Sequence, residues 1–491
     1  MTKNLERFLE YADAAAGSIN DWITAKEQIF VTSHLDSDGL SAAGIIGTAL
    51  HRRGAYFQLR IVRQLDRAYL SNISTEGQKR YIFTDLGSGQ LHHIESALID
   101  APVVILDHHP PSIKNASKNI RQVNPHLCGF DGAHEISGAG VAYLVARHLG
   151  ASNEDLAALA VVGAIGDIQD RGEKHTLQSL NKDIIVEDAV AADVLEVTTD
   201  IRVFGRETRP IHKALQYTSD PFIPGISNDP EGALSFLSDI GIDLKDGDRW
   251  RTIASLSKEE KRQLNTALIT YMLKRNIPAR EAQSIIGRVY TLKRENLGSF
   301  LRDAREFSTL LNACGRSGQG GVGVAICMGD RGSLYRKAET ILKEHRRQLA
   351  EGLTWLLEDS GAVENRRLLQ TFHSRDKITE TLVGSIAGMA LFSRILDWAK
   401  PVIAFAFTRD GRVKVSARTS QPVVKSGVHL GEIMRLACEE LGSGSEGGGH
   451  NIAAGATIPR GFEERFLEIV EELLAKQLGQ TKEGSPASEE A

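Results

Sequence analysis

Residues 33–39, Ser-His-Leu-Asp-Ser-Asp-Gly, place one imidazole and two carboxylates at alternating positions directly after a short apolar run at 29–31. In an extended chain His34, Asp36 and Asp38 share one side, because side chains alternate with a period of two. The carboxyl edge of a buried strand is where open α/β sheets bind ligands. So much ionisable chemistry beside a buried strand is costly unless something neutralises it, and a divalent metal ion would do so. Three further element ends carry the same chemistry: Asp85 after an apolar stretch at 80–84, Asp107-His108-His109 after 103–106, and Asp167 at the end of a helical pattern. Taken singly, each has a plainer reading. A strand-end aspartate caps a helix, a His-His pair decorates a surface, and Gly87 and Gly89 make a turn. Four element ends with acid or imidazole point instead to a functional cluster. Five carboxylates and three imidazoles suit two ions about 3.5–4 Å apart with a shared water, the arrangement that serves in-line phosphodiester hydrolysis. The oxygen and nitrogen donors favour Mn²⁺ over a zinc–thiolate site, and no cysteine is placed to contribute.

The elements that must position these groups follow from periodicity. Apolar residues at helical spacing predict an amphipathic helix over 3–25, and helices follow at 40–52, 139–149 and 153–165. Strands are predicted at 56–62, 80–84 and 103–106. Strands alternating with helices, with acids and imidazoles after several strands, make a doubly wound α/β domain over 1–190. The text then changes. Turn residues over 210–232 and two polar helical patterns over 257–288 predict a helical accessory module at 191–300. Beyond it come an apolar strand at 322–328 and a long helix with a leucine stripe. A smaller α/β segment then carries a strand at 401–407, an Asp410-Gly411 hairpin turn and a glycine run over 442–455. Residues 301–480 form the linker helix and this second α/β domain, and the polar, acidic tail at 481–491 reads as disordered.

Bulk properties narrow the classes. A formal net charge of −5 excludes a globally basic nucleic-acid coat, so any such contact falls to local basic groups and metals. Cys128, Cys314, Cys327 and Cys438 show no CxxC spacing and read as reduced core residues. No signal peptide is recognisable, and the longest apolar stretches are too short to span a bilayer. The expectation is a cytoplasmic protein with no membrane contact.

Read together, SHLDSDG, FTDLG, LDHHPP and GAIGDIQD, in this order, resemble the four motifs of the DHH phosphoesterase superfamily. The later LNACGR, VSART and GGGHNIAAG resemble motifs of RecJ-type exonucleases and their DHH-associated C-terminal domain. Seven motifs in order cover 1–170 and 305–475, and the text is most similar to archaeal RecJ-like nucleases, including the GINS-associated type. The resemblance implies roles. His34 and Asp36 would hold one metal and Asp38 the other, with Asp85 bridging and His108 and Asp167 completing the shell of the second metal. His109 would donate to a phosphate oxygen, and Asp107 would orient a histidine. Asn312 and Arg316 match a strand-binding motif, and Ser416 with Arg418 a phosphate grip. Gly447, Gly448, Gly449 and His450 would bring backbone amides close to phosphate. Arg60, Arg63 and Arg67 lie where they line a substrate path or a solvated face. Bacterial relatives often carry Asp at the position of His34; either residue ligates Mn²⁺.

The resulting expectation is a RecJ-like exonuclease of replication or repair. It would use two divalent ions, Mn²⁺ foremost with Mg²⁺ and Co²⁺ as alternatives, and act on single-stranded DNA, RNA or both. The strand would thread a cleft between the two α/β domains, with GINS or another replisome protein as a further partner. Two alternatives stay open. One is a small-substrate phosphodiesterase of the oligoribonuclease or cyclic-dinucleotide type. The other is a replisome scaffold with little activity.

Overall fold

The structure, a computed structural model, describes residues 2–479 apart from 76, 78, 79, 113–115, 151, 152, 219 and 443. The tail at 481–491 therefore lies outside the described residues. The chain divides into two compact units, Met1–Leu342 and Lys343–Ala491.

In the first unit, strands β1 (Gln28–His34), β2 (Tyr56–Val62), β3 (Arg80–Thr84), β4 (Val103–Leu106) and β5 (Ile120–Val123) form one sheet. Its order is β2-β1-β3-β4-β5, and every pairing is parallel. Helices cover both faces. Ile29, Val31, Ile82, Val104 and Leu106 pack into one core with α1 (Thr2–Thr24) and α2 (Ser37–Arg52). Phe30, Tyr81, Phe83, Val103 and Ile105 pack into another with α3 (Arg67–Thr75) and α4 (Leu91–Ala97). Burial on both faces is why these strands read as continuous apolar runs rather than alternating ones. Two further helices, α5 (Gly138–His148) and α6 (Ala157–Gly166), complete the α1/α2 side.

The turn after β1 departs from the expected alternation. Helix α2 starts at Ser37 rather than at residue 40, so Asp38 lies in its first turn. Asp36 has extended backbone angles and accepts the Gly39 N–H at 3.0 Å, which makes it the helix N-cap. A potential ligand thus also serves as the cap, through one of its two oxygens.

The inserted module is helical, as expected, with its own core around Ile211, Leu215, Phe236, Leu264, Leu268 and Met272. The chain enters and leaves it through an antiparallel ribbon of Leu195–Ile201 and Ile286–Leu292. The expected strand at 322–328 is instead the helix Gly320–Cys327. A short apolar run that is mostly buried carries too little periodicity to separate the two forms. Glycines let this helix pack closely: a Cβ on Gly320 would lie 2.7 Å from Ile61, and one on Gly323 would lie 2.8 Å from Leu40.

The second unit holds a mixed sheet in the order 363–365, 370–373, 402–407, 412–418, 453–459, 446–449. The hairpin joining Val402–Phe407 to Arg412–Arg418 turns where expected, with Gly411 at φ +83°. The glycine run is itself a strand, Glu446–Gly449, paired with Ala453–Pro459. Val383–Phe392 packs on one side with Val402, Ala404 and Ala406. Leu430–Leu441 and Glu463–Gln477 pack on the other with Ile403, Val413 and Val415.

Candidate metal centre

The sheet order changes direction between β1 and β3, and the crevice outside the strand ends at such a switch point is where α/β sheets seat ligands. The residues singled out from the sequence meet there. β1 supplies His34 and, through its turn, Asp36 and Asp38. The ends of β3 and β4 supply Asp85 and Asp107 to His109, and the C-terminus of α6 supplies Asp167. His34 Nδ1 lies 2.9 Å from Asp36 Oδ2 and 3.5 Å from Asp85 Oδ2. His108 Nε2 lies 3.3 Å from Asp85 Oδ1, 3.3 Å from Asp167 Oδ2 and 3.7 Å from Asp38 Oδ2. Among the described residues, three groupings have donor atoms within 4.8 Å of one another: His34/Asp36/Asp85, Asp85/His108/His109 and Asp38/His108/Asp167. Asp85 is shared by two of them and His108 by two.

These side chains fit a bound cation. Both oxygens of Asp85, which is 2% exposed, are buried with no hydrogen-bond partner, and so are His34 Nδ1 and His108 Nε2. A buried carboxylate left this way is strongly unfavourable, and four such atoms facing one another ask for a positive charge. The His108 tautomer agrees. Its Nδ1 lies 2.7 Å from the Gly132 carbonyl, which can only accept, so Nδ1 carries a proton and Nε2 is the nitrogen turned toward Asp38, Asp85 and Asp167. Asp38 sits at the amino end of α5, where its two oxygens accept the N–H groups of Gly138 at 2.6 Å and Ala139 at 2.9 Å. Close approach explains two glycines. A Cβ on Gly163 would lie 2.3 Å from Asp38 Oδ1, and one on Gly138 would lie 2.6 Å from Asp85 Oδ1.

Crowding makes these carboxyls harder to ionise. Burial, then the charges of Asp36 and Asp85, push the Asp167 carboxyl up to about 7 against His108. Burial, then Asp85 and Asp167, push Asp38 well above its ordinary value. Burial pulls the His34 and His108 imidazoles down, but the surrounding carboxylates outweigh it and leave both well above the usual range.

Asp107 is saturated. Its oxygens accept the N–H groups of Ser88 at 2.8 Å, His108 at 2.8 Å and His109 at 3.2 Å, and His109 Nδ1 lies 2.8 Å away. The carboxyl stays low because this network and the charge of His109 overcome burial. In return Asp107 raises His109 against burial. Nδ1–H of His109 is thereby committed to Asp107, and the 45% exposed ring presents Nε2 to solvent.

Residues absent from the sequence reading hold this geometry. Gln169 Nε2 donates to the same Gly132 carbonyl at 2.9 Å, and its Oε1 accepts from Asn181 Nδ2 at 2.6 Å. It lies inside GAIGDIQD, but only the fold reveals that it reaches residue 132. Asn312 and Arg316, grouped by the sequence with the C-terminal motifs, stand in the first unit against the metal loop. Asn312 Oδ1 accepts the Ser37 N–H at 3.1 Å and its Nδ2 donates to Ser37 Oγ at 3.3 Å. Arg316 is half-buried, and the charge of Asp36 opposes the lowering of its pKa by burial. Gly315 lets the Ala304–Arg316 helix touch the loop, since a Cβ there would lie 1.6 Å from the Leu35 carbonyl oxygen. Arg60 stacks over Phe30 at 4.8 Å, while Arg63 and Arg67 are exposed.

In the second unit Ser416 pairs with Gly455, which pairs with Gly448, so the hydroxyl strand and the glycine strand flank a common neighbour. Arg418 Nη1 donates to the Ala417 carbonyl at 2.8 Å, and a Cβ on Gly384 would lie 2.7 Å from Arg418 Nη2. Gly449, at φ +138°, leads into the exposed His450.

Known proteins resemble this chain along its length. Residues 28–165 match the DHH family, N-terminal domain, residues 203–286 the DHH-CID domain and residues 370–476 the DHHA1 domain. An uncharacterized protein of Methanocaldococcus jannaschii is 33% identical over 460 residues, 92% of this chain and 94% of that one. Among solved structures, RecJ of Thermus thermophilus in complex with Mn²⁺ superposes with a TM-score of 0.58 at 18% identity. It covers 95% of this chain, which spans 55% of that RecJ. An exonuclease RecJ bound to manganese superposes at 0.57 with 17% identity, covering 96% and 97%. CDC45 of Entamoeba histolytica superposes at 0.64 with 14% identity, covering 95% and 99%. At these identities the likenesses concern the fold.

Proposed function

We propose that this chain, which belongs to the DHH family and has the RecJ-like fold, is a metal-dependent exonuclease of single-stranded DNA or RNA. The observation that carries the reading is the buried Asp85 carboxylate, which among the described residues has no hydrogen-bond partner at either oxygen and lies between the His34/Asp36 pair and the His108/Asp38/Asp167 group. Two divalent ions held there, Mn²⁺ foremost, would lower the pKa of a shared water and offset the charge of the phosphoryl oxygens. His34 and Asp36 would hold one ion and Asp38, His108 and Asp167 the other, with Asp85 common to both. Two of the similar RecJ structures contain manganese and a third, also from Thermus thermophilus, contains Mg²⁺.

The remaining groups act directly. His109, kept protonated by Asp107, donates from Nε2 to a non-bridging phosphate oxygen and stabilises charge as it develops. Asp107 orients that ring. Arg418, Ser416 and the amides around Gly448, Gly449 and His450 hold backbone phosphates, so recognition is largely independent of sequence. Asn312 and Arg316 steady the loop that bears Asp36. The setting would be DNA replication or repair.

The test is digestion of single strands labelled at the 5′ or the 3′ end, as DNA and as RNA, with Mn²⁺. Asp36→Ala and Asp85→Ala are expected to abolish hydrolysis with the circular dichroism spectrum retained. Full activity in either variant would sink the two-metal reading.

A second reading, a scaffold within a replication assembly, draws on the CDC45-like fold and the DHH-CID match. It predicts no Mn²⁺-dependent hydrolysis by the unaltered protein.

A further inference from the structure

Helix α6 ends in a hydrogen-bond pattern that asks for glycine, and the chain has isoleucine there. The Ile168 N–H bonds the Ile165 carbonyl at 3.1 Å and the Gln169 N–H bonds the Ala164 carbonyl at 3.0 Å. These are the paired bonds of a Schellman motif, in which the residue just past the cap adopts the left-handed conformation. Ile168 does so, with φ +56°. A β-branched side chain in that region is strained, because its Cβ crowds the backbone, whereas glycine or asparagine is not.

Burial does not compensate, since Ile168 is 55% exposed. Nor can the segment relax. Asp167 on one side belongs to the Asp38/His108/Asp167 grouping. On the other, Gln169 is 1% exposed and bound to the Gly132 carbonyl, and Asp170 is buried and paired with Arg202 and Arg305. A strained conformation persists where its surroundings over-determine it, and such positions gather at functional sites. Among the described residues, Ile168 is the one exposed large hydrophobic adjacent in sequence to a member of the metal-binding groupings.

We infer that Ile168 is a substrate-positioning residue, a fixed apolar contact for the nucleobase of the nucleotide whose phosphate sits at the metal centre. This rests on the nuclease reading above and adds the base as a recognised group. Every base has an apolar face, so the contact requires a base without selecting one.

The experiment compares kcat/KM on two single strands, one with an intact end and one whose terminal nucleotides are abasic, for the full-length protein and for Ile168→Asn and Ile168→Val. The unaltered protein is expected to prefer the intact strand by roughly tenfold. Ile168→Asn should bring that ratio close to one while raising the melting temperature, because asparagine accepts the left-handed backbone. Ile168→Val should keep the ratio of the unaltered protein. Hydrolysis with the same ratio in Ile168→Asn as in the unaltered protein overturns this inference alone, as does a lower melting temperature in Ile168→Asn. No hydrolysis of either strand by the unaltered protein overturns the nuclease reading and this inference with it.

Discussion

Asp85 and Asp167 set the terms on which a cation would be held here. A buried carboxylate with unpaired oxygens costs a few kcal/mol, and a bound ion removes that cost. The Asp167 carboxyl, held up to about 7 by burial and by Asp36 and Asp85, supplies a pH dependence. Its folded value exceeds the unfolded one of 3.8, so its contribution to metal-free stability is present below 3.8 and is lost as pH rises through about 7. A metal ion needs the carboxylate form, so affinity runs the other way. Mn²⁺ is expected to raise the melting temperature more at pH 8 than at pH 5.5, and titration calorimetry should show affinity falling as pH drops below about 7. Affinity independent of pH would remove Asp167 from the ligand set. His109 makes a separate prediction. His109→Gln keeps the His34/Asp36/Asp85 and Asp38/His108/Asp167 groupings and removes the charged donor. It should lower kcat by about 10²–10³-fold with Mn²⁺ binding intact, and a matching loss of Mn²⁺ binding would make it a ligand instead.

At the scale of elements, the switch between β1 and β3 gathers ligands from four segments, and the helices around it hold them still. α5 offers its amino end to Asp38, α6 brings Asp167 and the Gly163 gap, and the Ala304–Arg316 helix clasps Ser37 through Asn312. Gln169 links the α6 terminus to His108 through the Gly132 carbonyl. Groups that orient a metal-binding histidine typically contribute 10–100-fold to affinity. Gln169→Ala should therefore weaken Mn²⁺ binding by about that factor with secondary structure unchanged. Unaltered affinity would show that Gly132 needs no second donor. At this scale the sequence misled twice. Residues 320–327 read as a strand yet form a helix, because a short and mostly buried apolar run has too little period to read. α2 starts early because Asp36, read as a ligand at the end of an extended run, is also its cap.

At the scale of the whole molecule, each of the two units carries its own part of the proposed task. The first gathers the acid and imidazole cluster; the second holds Ser416, Arg418 and the glycine hairpin. Arg418→Ala is expected to raise KM for long single strands by roughly tenfold, with Mn²⁺ affinity unchanged, as measured by steady-state kinetics and calorimetry. An unchanged KM would remove Arg418 from the strand grip. By itself the sequence determined the strand–helix alternation, the helical insertion and the identity of the clustered acids and imidazoles. Those are local matters, since period, burial on both faces and residue chemistry are written along the chain. Only the tertiary structure decided which of them share a donor set, and it is the strand order that makes Asp85 common to two groups. It also moved Asn312 and Arg316 from the C-terminal motifs to the metal loop, and revealed Gln169 behind His108 and the strain at Ile168. Contacts between residues far apart in the chain, from 37 positions for Gln169 and Gly132 to 275 for Asn312 and Ser37, and a backbone angle imposed by two hydrogen bonds, leave no periodic mark in a sequence.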